Sequence, residues 1–189
     1  MISQRRNYID KYFDTNTRNL SGVVLDIGGK KNNKRGNFKP NKNLKIFYLN
    51  TDAHTNPDFL LDANNFHEKI NQKFDYFFLA EILEHLDNPT GAIKSSYKIL
   101  KDDGIGFISM PFMYRKHSDP KDMQRWTDTK LIKTFNENGF EVSKIINMGG
   151  LFCVIHDFWM FSTINPSNSF FLKFLNKILF KIISPLLKY

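Results

Sequence analysis

The chain has 189 residues, 41% of them hydrophobic and 15% aromatic, and a formal net charge of +8. This length suffices for one domain with a real hydrophobic core, and this composition excludes an intrinsically disordered chain. The one cysteine, Cys153, excludes an internal disulfide and a cysteine-ligated zinc site, and no spacing of other ligating residues suggests a metal site. The N-terminal residues lack the apolar stretch of a signal peptide, so we expect a cytoplasmic protein.

An N-terminal helix is expected ahead of the first strand, which lies in the segment GVVLDIGGK (22–30). Its β-branched apolar residues lead to Asp26 and then to Gly28 and Gly29. This pattern is typical of a buried parallel strand that enters a tight loop beneath a nucleotide-like ligand. Glycines lack a Cβ, so backbone N–H groups can approach such a ligand closely. Taken alone, the pattern fits an ordinary tight turn equally well.

Lysine and arginine dominate the next segment, residues 30–45, which we call the basic segment. Its positive residues are Lys30, Lys31, Lys34, Arg35, Lys39, Lys42 and Lys45, and no acidic residue lies between Asp26 and Asp52. One interpretation is a solvated loop. Another is an electropositive rim beside a ligand pocket, which attracts a phosphorylated or anionic substrate. Nucleic acid is less favoured as a partner, because the segment has few aromatic residues for base stacking.

Two further strand-like segments are followed by, or contain, acidic residues. KIFYLN (45–50) precedes Asp52, and FLLDANNF (59–66) contains Asp62 beside Ala63. An acidic residue about 20–30 positions beyond a glycine loop is where a nucleoside-binding α/β fold has its acceptor for ribose hydroxyls. The order of these residues therefore favours a ligand that contains a nucleoside.

The following elements alternate between strand and helix. FDYFFLAEILEHLDNP (74–89) predicts a strand, a short acidic turn and a helix that begins at the proline. After that helix, residues 101–104 predict a turn that leads into the strand IGFISMP (105–111). Thr127 is the expected N-cap of one more helix, over residues 128–138.

The runs FDYFFLAEILEHLDNP and KILKDDGIGFISMP, in this order after the glycine loop, resemble class I S-adenosylmethionine-dependent methyltransferases. The resemblance covers about residues 20–150. HSDPKDMQRWT (117–127), NGF (138–140) and GG (149–150) resemble a branch associated with surface-glycan and lipopolysaccharide gene products. The family implies a three-layer α/β/α Rossmann-like sandwich with a mostly parallel sheet. We expect residues 1–150 to form this domain and residues 151–189 to form an extension.

The resemblance also implies S-adenosylmethionine as the cofactor and assigns residues to it. The expected cofactor residues are Asp26, Gly28, Gly29, Asp52, Asp62, Ala63, Ala80 and Glu81. Asp52 would accept the ribose hydroxyls, and Asp62 would accept the exocyclic amine of the adenine. The sequence departs from the family pattern at Lys30, where a third glycine often stands, and this departure leaves a degenerate domain as an alternative.

Two histidines are candidates for the general base that a hydroxyl acceptor requires. His85 belongs to the LEHL turn, where packing is the alternative role, and His117 follows the last predicted strand at the ligand-binding edge. Asp119 and Asp122 are close enough in sequence to orient His117. We expect Arg125 either to contact an anionic group of the substrate, together with Asp122, or simply to pair with Asp122.

The extension differs from the rest of the chain. LFCVIHDFWMFSTI (151–164) is apolar on nearly every side, and its sequence does not distinguish strand from helix. After a break at 165–168, residues 170–184 form a helical pattern, with one polar arc of Lys173, Asn176, Lys177, Lys181 and Ser184. Its lysines interrupt the apolar run too often for a transmembrane helix, so we predict a helix in the membrane interface that ends near Pro185. The alternatives are packing on the domain and a dimer contact.

The sequence therefore favours an S-adenosylmethionine-dependent methyltransferase that acts on a sugar or lipid-linked glycan at the cytoplasmic face of a membrane. One alternative is a methyltransferase for RNA or another nucleic acid that uses the basic segment. Another is a non-catalytic subunit with the cofactor fold that tethers a partner to the membrane.

Overall fold

The computed structural model describes residues 3–31, 36–117, 121–162 and 170–187. In chain order its helices and strands are α1 (Gln4–Thr17), β1 (Gly22–Ile27), β2 (Leu44–Asn50), β3 (Phe59–Leu60), β4 (Phe74–Ala80), α2 (Pro89–Ile99), β5 (Leu100–Ser109), α3 (Asp128–Glu137), α4 (Leu151–Ser162) and α5 (Phe170–Ile183). Short 3₁₀ turns lie at 53–55, 66–68, 83–85 and 184–187.

The strands form one parallel five-stranded sheet in the order β3-β2-β1-β4-β5. In its register, Asp26 of β1 lies between Tyr48 of β2 and Phe78 of β4. Strands β2 and β3 lie on one side of β1, and the later strands β4 and β5 lie on its other side. The order therefore reverses between β1 and β4, and a crevice at the carboxyl ends of these strands is where open α/β sheets bind ligands.

Helices cover both faces of the sheet, because successive strand residues point to opposite sides. Leu25 and Phe77 belong to the main core, which includes residues of α2 and α3. Val24 and Phe78 belong to a second core with Phe13 of α1. The predicted three-layer α/β/α sandwich and the N-terminal helix are confirmed.

The helix starts follow the capping signals in the sequence. The Asn88 side chain accepts the N–H of Gly91 at the start of α2, and Pro89 is the first residue of that helix. The Thr127 hydroxyl accepts the N–H of Lys130 at the start of α3. Each side chain thus satisfies a backbone donor that the first helical turn leaves unpaired, as predicted for Thr127, and α2 begins at Pro89 as predicted.

The turn predicted at residues 101–104 is wrong, since these residues belong to β5. Leu100 already pairs with Phe74 of β4, so the strand begins directly after α2. The extra residues are accommodated by a shift in register between Phe74 and Tyr76, and Asp103 has a φ of 62°. At its other end β5 stops at Ser109, before the predicted end at residue 111.

The extension contains two helices in the residues that are described. Residues 151–162, whose sequence did not distinguish strand from helix, form the helix α4. Phe180 of α5 is buried and contacts the rings of His156 and Trp159 on α4. The α-helix of α5 ends at Ile183 and a 3₁₀ turn follows, as Pro185 predicts. The predicted break at 165–168 lies outside the described residues. Among the helices that are described, none has both the length and the apolarity that crossing a bilayer requires.

Asp75 joins three strands and should stabilise the fold in a pH-dependent way. Its carboxylate accepts the N–H of Val23 at 2.8 Å and the ammonium of Lys101 at 2.8 Å. The Lys101 contact, followed by the Val23 bond, lowers the pKa of Asp75 below its ordinary value. We expect Asp75→Asn to reduce the free energy of unfolding at pH 7 by about 1–2 kcal/mol, a value discounted for partial exposure.

Because the folded-state pKa is lowered, this stabilisation exists above the unfolded-state pKa and is lost as the pH falls through the folded-state value. Urea unfolding at pH 7 and at acidic pH measures it, and the difference between wild type and Asp75→Asn should shrink in acid. Asp102→Asn is the control, because Asp102 is an exposed residue of β5 with the same charge. A difference that is independent of pH would contradict this account.

Candidate active site

The loop after β1 depends on both predicted glycines. Gly28 has a φ of 77°, and its N–H donates to the carbonyl of Leu49 on β2 at 2.7 Å. A Cβ added to Gly28 would lie 2.1 Å from Cδ1 of Ile82, and one on Gly29 would lie 2.4 Å from the carboxyl carbon of Asp26. A side chain at either position would therefore clash, and Ile82 brings the segment after β4 directly against this loop.

A cavity of about 110 Å³ lies beside this loop. It is bounded by the sheet on one side and by α1 on the other. Its lining includes Asp26, Gly28, Gly29 and Ala80 of the predicted cofactor residues, and Ile9 and Phe13 of α1. Folding therefore brings half of the predicted cofactor residues to one cavity, at the reversal of the strand order.

Asn50 connects the glycine loop to Asp52, a role that the sequence analysis missed. The Asn50 amide donates to the carbonyls of Gly28 at 3.2 Å and Gly29 at 3.0 Å. Its side-chain oxygen accepts the N–H of Asp52 at 3.0 Å. Asp52 itself is exposed, and its carboxylate accepts the N–H of His54 at 2.9 Å. The amide at the end of β2, two positions before the acidic residue, is the signal that could have identified Asn50.

Asp62, Ala63 and Glu81 do not line this cavity, and neither does Asp52. Asp62 follows β3, is exposed, and accepts the N–H of Asn64 at 2.7 Å. Ala63 is buried in the main core. Both residues lie at the same edge of the sheet as the glycine loop, because β3 is parallel to β1 and β2.

Glu81 follows β4 in a strained and buried position. Its φ is 59°, a left-handed conformation that costs a residue with a side chain about 1–3 kcal/mol. Its carboxylate accepts the hydroxyl of Ser109 at 3.0 Å and forms an ion pair with Arg5 of α1. The Arg5 guanidinium also lies 3.9 Å from the ring centre of Tyr114. Nothing in the sequence distinguishes Arg5 from its neighbour Arg6, so this site residue was missed.

The two candidate histidines lie together rather than apart, and both face Glu84. His85 and His117 have ring centres 5.0 Å apart. Oε1 of Glu84 lies 3.5 Å from Nε2 of His85 and 3.9 Å from Nε2 of His117. We call these three residues the histidine–glutamate cluster. Burial raises the pKa of Glu84 and lowers the pKa of His117, so the site favours a neutral His117 ring.

Asp122 orients His117, as its sequence position suggested. It accepts the backbone N–H of His117 at 2.8 Å, and its carboxylate lies 3.3 Å from Nδ1 of the His117 ring. Arg125 forms a two-point ion pair with Asp122, and this pair holds the pKa of Asp122 well below its usual range. Of the two roles expected for Arg125, the structure therefore shows pairing with Asp122. Asp119 lies outside the described residues.

The extension contacts the start of α1 and the segment that carries His117. The carboxylate of Asp157 on α4 accepts the N–H groups of Gln4 at 2.8 Å and Arg5 at 3.1 Å, at the start of α1. The ring of Phe161 on α4 lies 5.6 Å from that of Tyr114, which in turn lies 5.2 Å from the ring of His117. Helix α4 thus packs against the segment that carries His117.

Comparisons with known proteins agree with the fold. The profile of a methyltransferase domain family matches residues 1–144. A SAM-dependent methyltransferase from Archaeoglobus fulgidus superposes with a TM-score of 0.53 and 14% identity, over 79% of this chain and 83% of that chain. A second one, from Thermotoga maritima, gives 0.52 and 18% identity, over 74% and 73%. The [4+2]-cyclase SpnF gives 0.54 and 16%, over 71% and 59%. These identities show similarity of fold, and comparison with curated proteins finds no match.

Asp52 offers a direct test of the predicted ribose contact beside the glycine loop. We expect Asp52→Ala to weaken S-adenosylmethionine binding by about 10- to 100-fold, because hydrogen bonds to a carboxylate are worth about 1.5–3 kcal/mol. Calorimetry on the full chain measures the dissociation constant. Asp52→Asn keeps the cap of the following turn while removing the charge, so it should lose less affinity. Asp14→Ala, an exposed change on α1, is the control. Unchanged affinity in Asp52→Ala would remove Asp52 from the cofactor site.

Proposed function

The chain belongs to the methyltransferase domain family and takes its methyl group from S-adenosylmethionine, and on this premise we propose that it methylates a hydroxyl of a sugar or lipid-linked glycan in cell-surface polysaccharide synthesis. The observation that carries the proposal is the packing of the apolar extension against the segment that holds His117. The resemblance of residues 117–127 and 138–140 to surface-glycan methyltransferases supports the acceptor class.

The described residues fit the cofactor. The exposed carboxylate of Asp52 would accept ribose hydroxyls beside the glycine loop, and that of Asp62 would accept the adenine amine. Gly28, Gly29 and Ala80 would lie against the methionine portion, because the close packing of the loop leaves backbone groups at the cavity surface. When bound, the cofactor supplies the methyl group from its sulfonium.

The cavity must enlarge to hold the whole cofactor. Its volume of about 110 Å³ is below the roughly 300–1,000 Å³ of typical ligand pockets. The sheet is held by backbone pairing, whereas α1 closes the cavity with the side chains of Ile9 and Phe13. We infer that α1 moves outward on binding, which would also displace Arg5 from its present contact with Glu81.

The histidine–glutamate cluster is suited to activating an acceptor hydroxyl. As the acceptor oxygen is methylated, its proton must leave, and neutral histidines are the usual groups for this task near pH 7. Burial lowers the pKa of His117, and Asp122 holds the Nδ1 side of the ring. The Nε2 side of His117 is therefore the one left to take a proton, and it lies 3.9 Å from Oε1 of Glu84.

The exposed face of α5 supports a membrane partner. Residues spaced by one helical turn leave a continuous apolar stripe on the surface. They are Phe170, Phe171, Phe174, Leu175, Ile178, Leu179 and Ile182, with exposures from 38% to 87%. Lys177 and Lys181 are also exposed and border the stripe on one side. A helix with this pattern binds at the interface of a bilayer, where lysines meet anionic headgroups.

The nucleic-acid alternative has less support, because part of the basic segment is engaged within the protein. Lys31 forms an ion pair with Asp58 at 2.7 Å, and the Lys45 ammonium lies 5.0 Å from the ring centre of Phe47. Lys34 and Arg35 lie outside the described residues. These internal contacts leave fewer of the positive charges to face a polynucleotide.

Membrane binding is tested with vesicles of stated composition. We expect the full chain to sediment with vesicles that contain phosphatidylglycerol, and Phe171→Ser with Leu175→Ser to reduce binding about 10-fold or more through the loss of buried apolar area. Leu60→Ser is the control, because Leu60 is equally an exposed apolar residue but lies on the edge strand β3. Vesicle binding that survives the double change, or that Leu60→Ser reduces as much, would contradict a membrane role for α5.

Methyl transfer is tested with labelled S-adenosylmethionine and a panel of sugar nucleotides, lipid-linked glycans and RNA. We expect transfer to a glycan hydroxyl, and His117→Ala should lower kcat by about 100-fold or more while cofactor affinity changes little. His54→Ala, an exposed histidine outside the cluster, is the matched control. Transfer to RNA with salt-sensitive binding would overturn the acceptor class. Absence of cofactor binding by calorimetry would instead favour the non-catalytic subunit.

A further inference from the structure

Glu84 is a buried carboxylate that lacks a donor. Its side chain is 0% exposed, and neither of its oxygens has a hydrogen-bond partner among the residues that the structure describes. A charge buried in this way costs several kcal/mol unless a cation faces it. The nearby guanidinium groups are engaged elsewhere, because Arg5 pairs with Glu81 and Arg125 pairs with Asp122. Both guanidinium groups attract the Glu84 carboxylate from a distance, but among the described residues neither forms a hydrogen bond with it.

The hydrogen bonds of both rings direct Nε2 towards this carboxylate. Nδ1 of His85 contacts the carbonyl of Lys121, and Nδ1 of His117 faces the carbonyl of Arg115 at 3.4 Å and the Asp122 carboxylate at 3.3 Å. Carbonyl and carboxylate oxygens only accept, so Nδ1 carries the proton in each neutral ring. In these tautomers each Nε2 presents a lone pair towards Glu84, so the cluster requires a proton or a cation among its three acceptor atoms.

The separations among these atoms suit a metal ion. One ligand atom from each of the three residues can be chosen so that all lie within 4.8 Å of one another. The Oε1 of Glu84 lies 3.5 Å and 3.9 Å from the two Nε2 atoms. Bonds of about 2.1 Å to a tetrahedral ion place its ligand atoms about 3.4 Å apart. Small side-chain movements would therefore close the cluster around one ion.

We propose that Glu84, His85 and His117 bind one divalent first-row transition metal ion, such as Zn²⁺ or Mn²⁺. Two imidazoles with one carboxylate favour such ions over Ca²⁺ and Mg²⁺, which prefer oxygen ligands. Carbonyl and carboxylate partners on Nδ1 are the usual support of histidine ligands in metal sites. Three protein ligands leave at least one position open, as in catalytic rather than structural sites.

The open position gives the ion a role that rests on the proposed function. It would bind the oxygen of the acceptor hydroxyl and lower its pKa, so that the hydroxyl proton would pass to solvent water as the oxygen takes the methyl group. His85 and His117 would then act as ligands of the ion in place of the proton-accepting role proposed above. No spacing along the sequence indicates this site, because His117 follows β5 while the other two ligands follow β4.

Metal binding is measured on the full chain without cofactor or acceptor. After treatment with EDTA and dialysis, the protein is titrated with Zn²⁺ by calorimetry and with Co²⁺ by visible absorption. We expect one ion per chain. We also expect the metal affinity to fall by about 100-fold or more in His85→Ala and in His117→Ala, because each change removes a ligand. Loss of a residue that only supports a ligand typically lowers metal affinity by about 10- to 100-fold. His54→Ala should bind as wild type.

Glu84→Gln keeps the shape of the side chain, so it should fold as wild type and still lose about 100-fold in affinity. Thermal unfolding and S-adenosylmethionine binding verify that each variant is folded. Absence of Zn²⁺ and Co²⁺ binding, or equal affinity in wild type and in the folded ligand variants, would overturn the proposed site. Metal binding without transfer to any glycan acceptor would uphold the site and overturn the proposed function.

Discussion

The structure is organised around two carboxylates, those of Glu81 and Glu84, buried directly behind the end of β4. Burial of such groups is costly unless cations or donors face them. Arg5 of α1 meets Glu81, and the backbone N–H of Arg5 donates to Asp157 of α4. Through these two contacts, Arg5 attaches the first helix and the extension to the same corner of the sheet. Glu84 faces His85 but has no hydrogen-bond donor among the described residues, and this unpaired carboxylate is the physical basis of the inferred metal site.

The site divides between two halves of the sheet. In the proposed function the loops after β1 and β2 would form the nucleoside side, and Asn50 holds the glycine loop and Asp52 together. The segments after β4 and β5 would form the acceptor side, which continues through Tyr114 to the extension. Ile82 joins the two sides by packing on Gly28. An acceptor with a lipid anchor could thus lie with its sugar at the histidines while α5 rests on the bilayer.

Local patterns predicted most of the fold. Apolar runs predicted the main strands, and Pro89 and the Thr127 cap predicted the starts of α2 and α3, because a helix start involves only neighbouring residues. The incorrect turn predicted at residues 101–104 arises instead from a contact between residues distant in sequence. A glycine after two aspartates favours a turn, yet pairing of Leu100 with Phe74 across the sheet outweighs that preference. The sequence of residues 151–162 likewise did not distinguish a helix from a strand, because its side chains are apolar on nearly every side.

The sequence by itself determined the family, the glycine loop, the acidic residue after β2 and the two candidate histidines. These follow from residue type and order along the chain. Only the tertiary structure decided that Arg5 meets Glu81 and that His117 joins Glu84 in one cluster. Such contacts join segments far apart in sequence, and their partners depend on strand order and helix docking. No local pattern encodes those distances, because burial and charge pairing act on the folded chain as a whole.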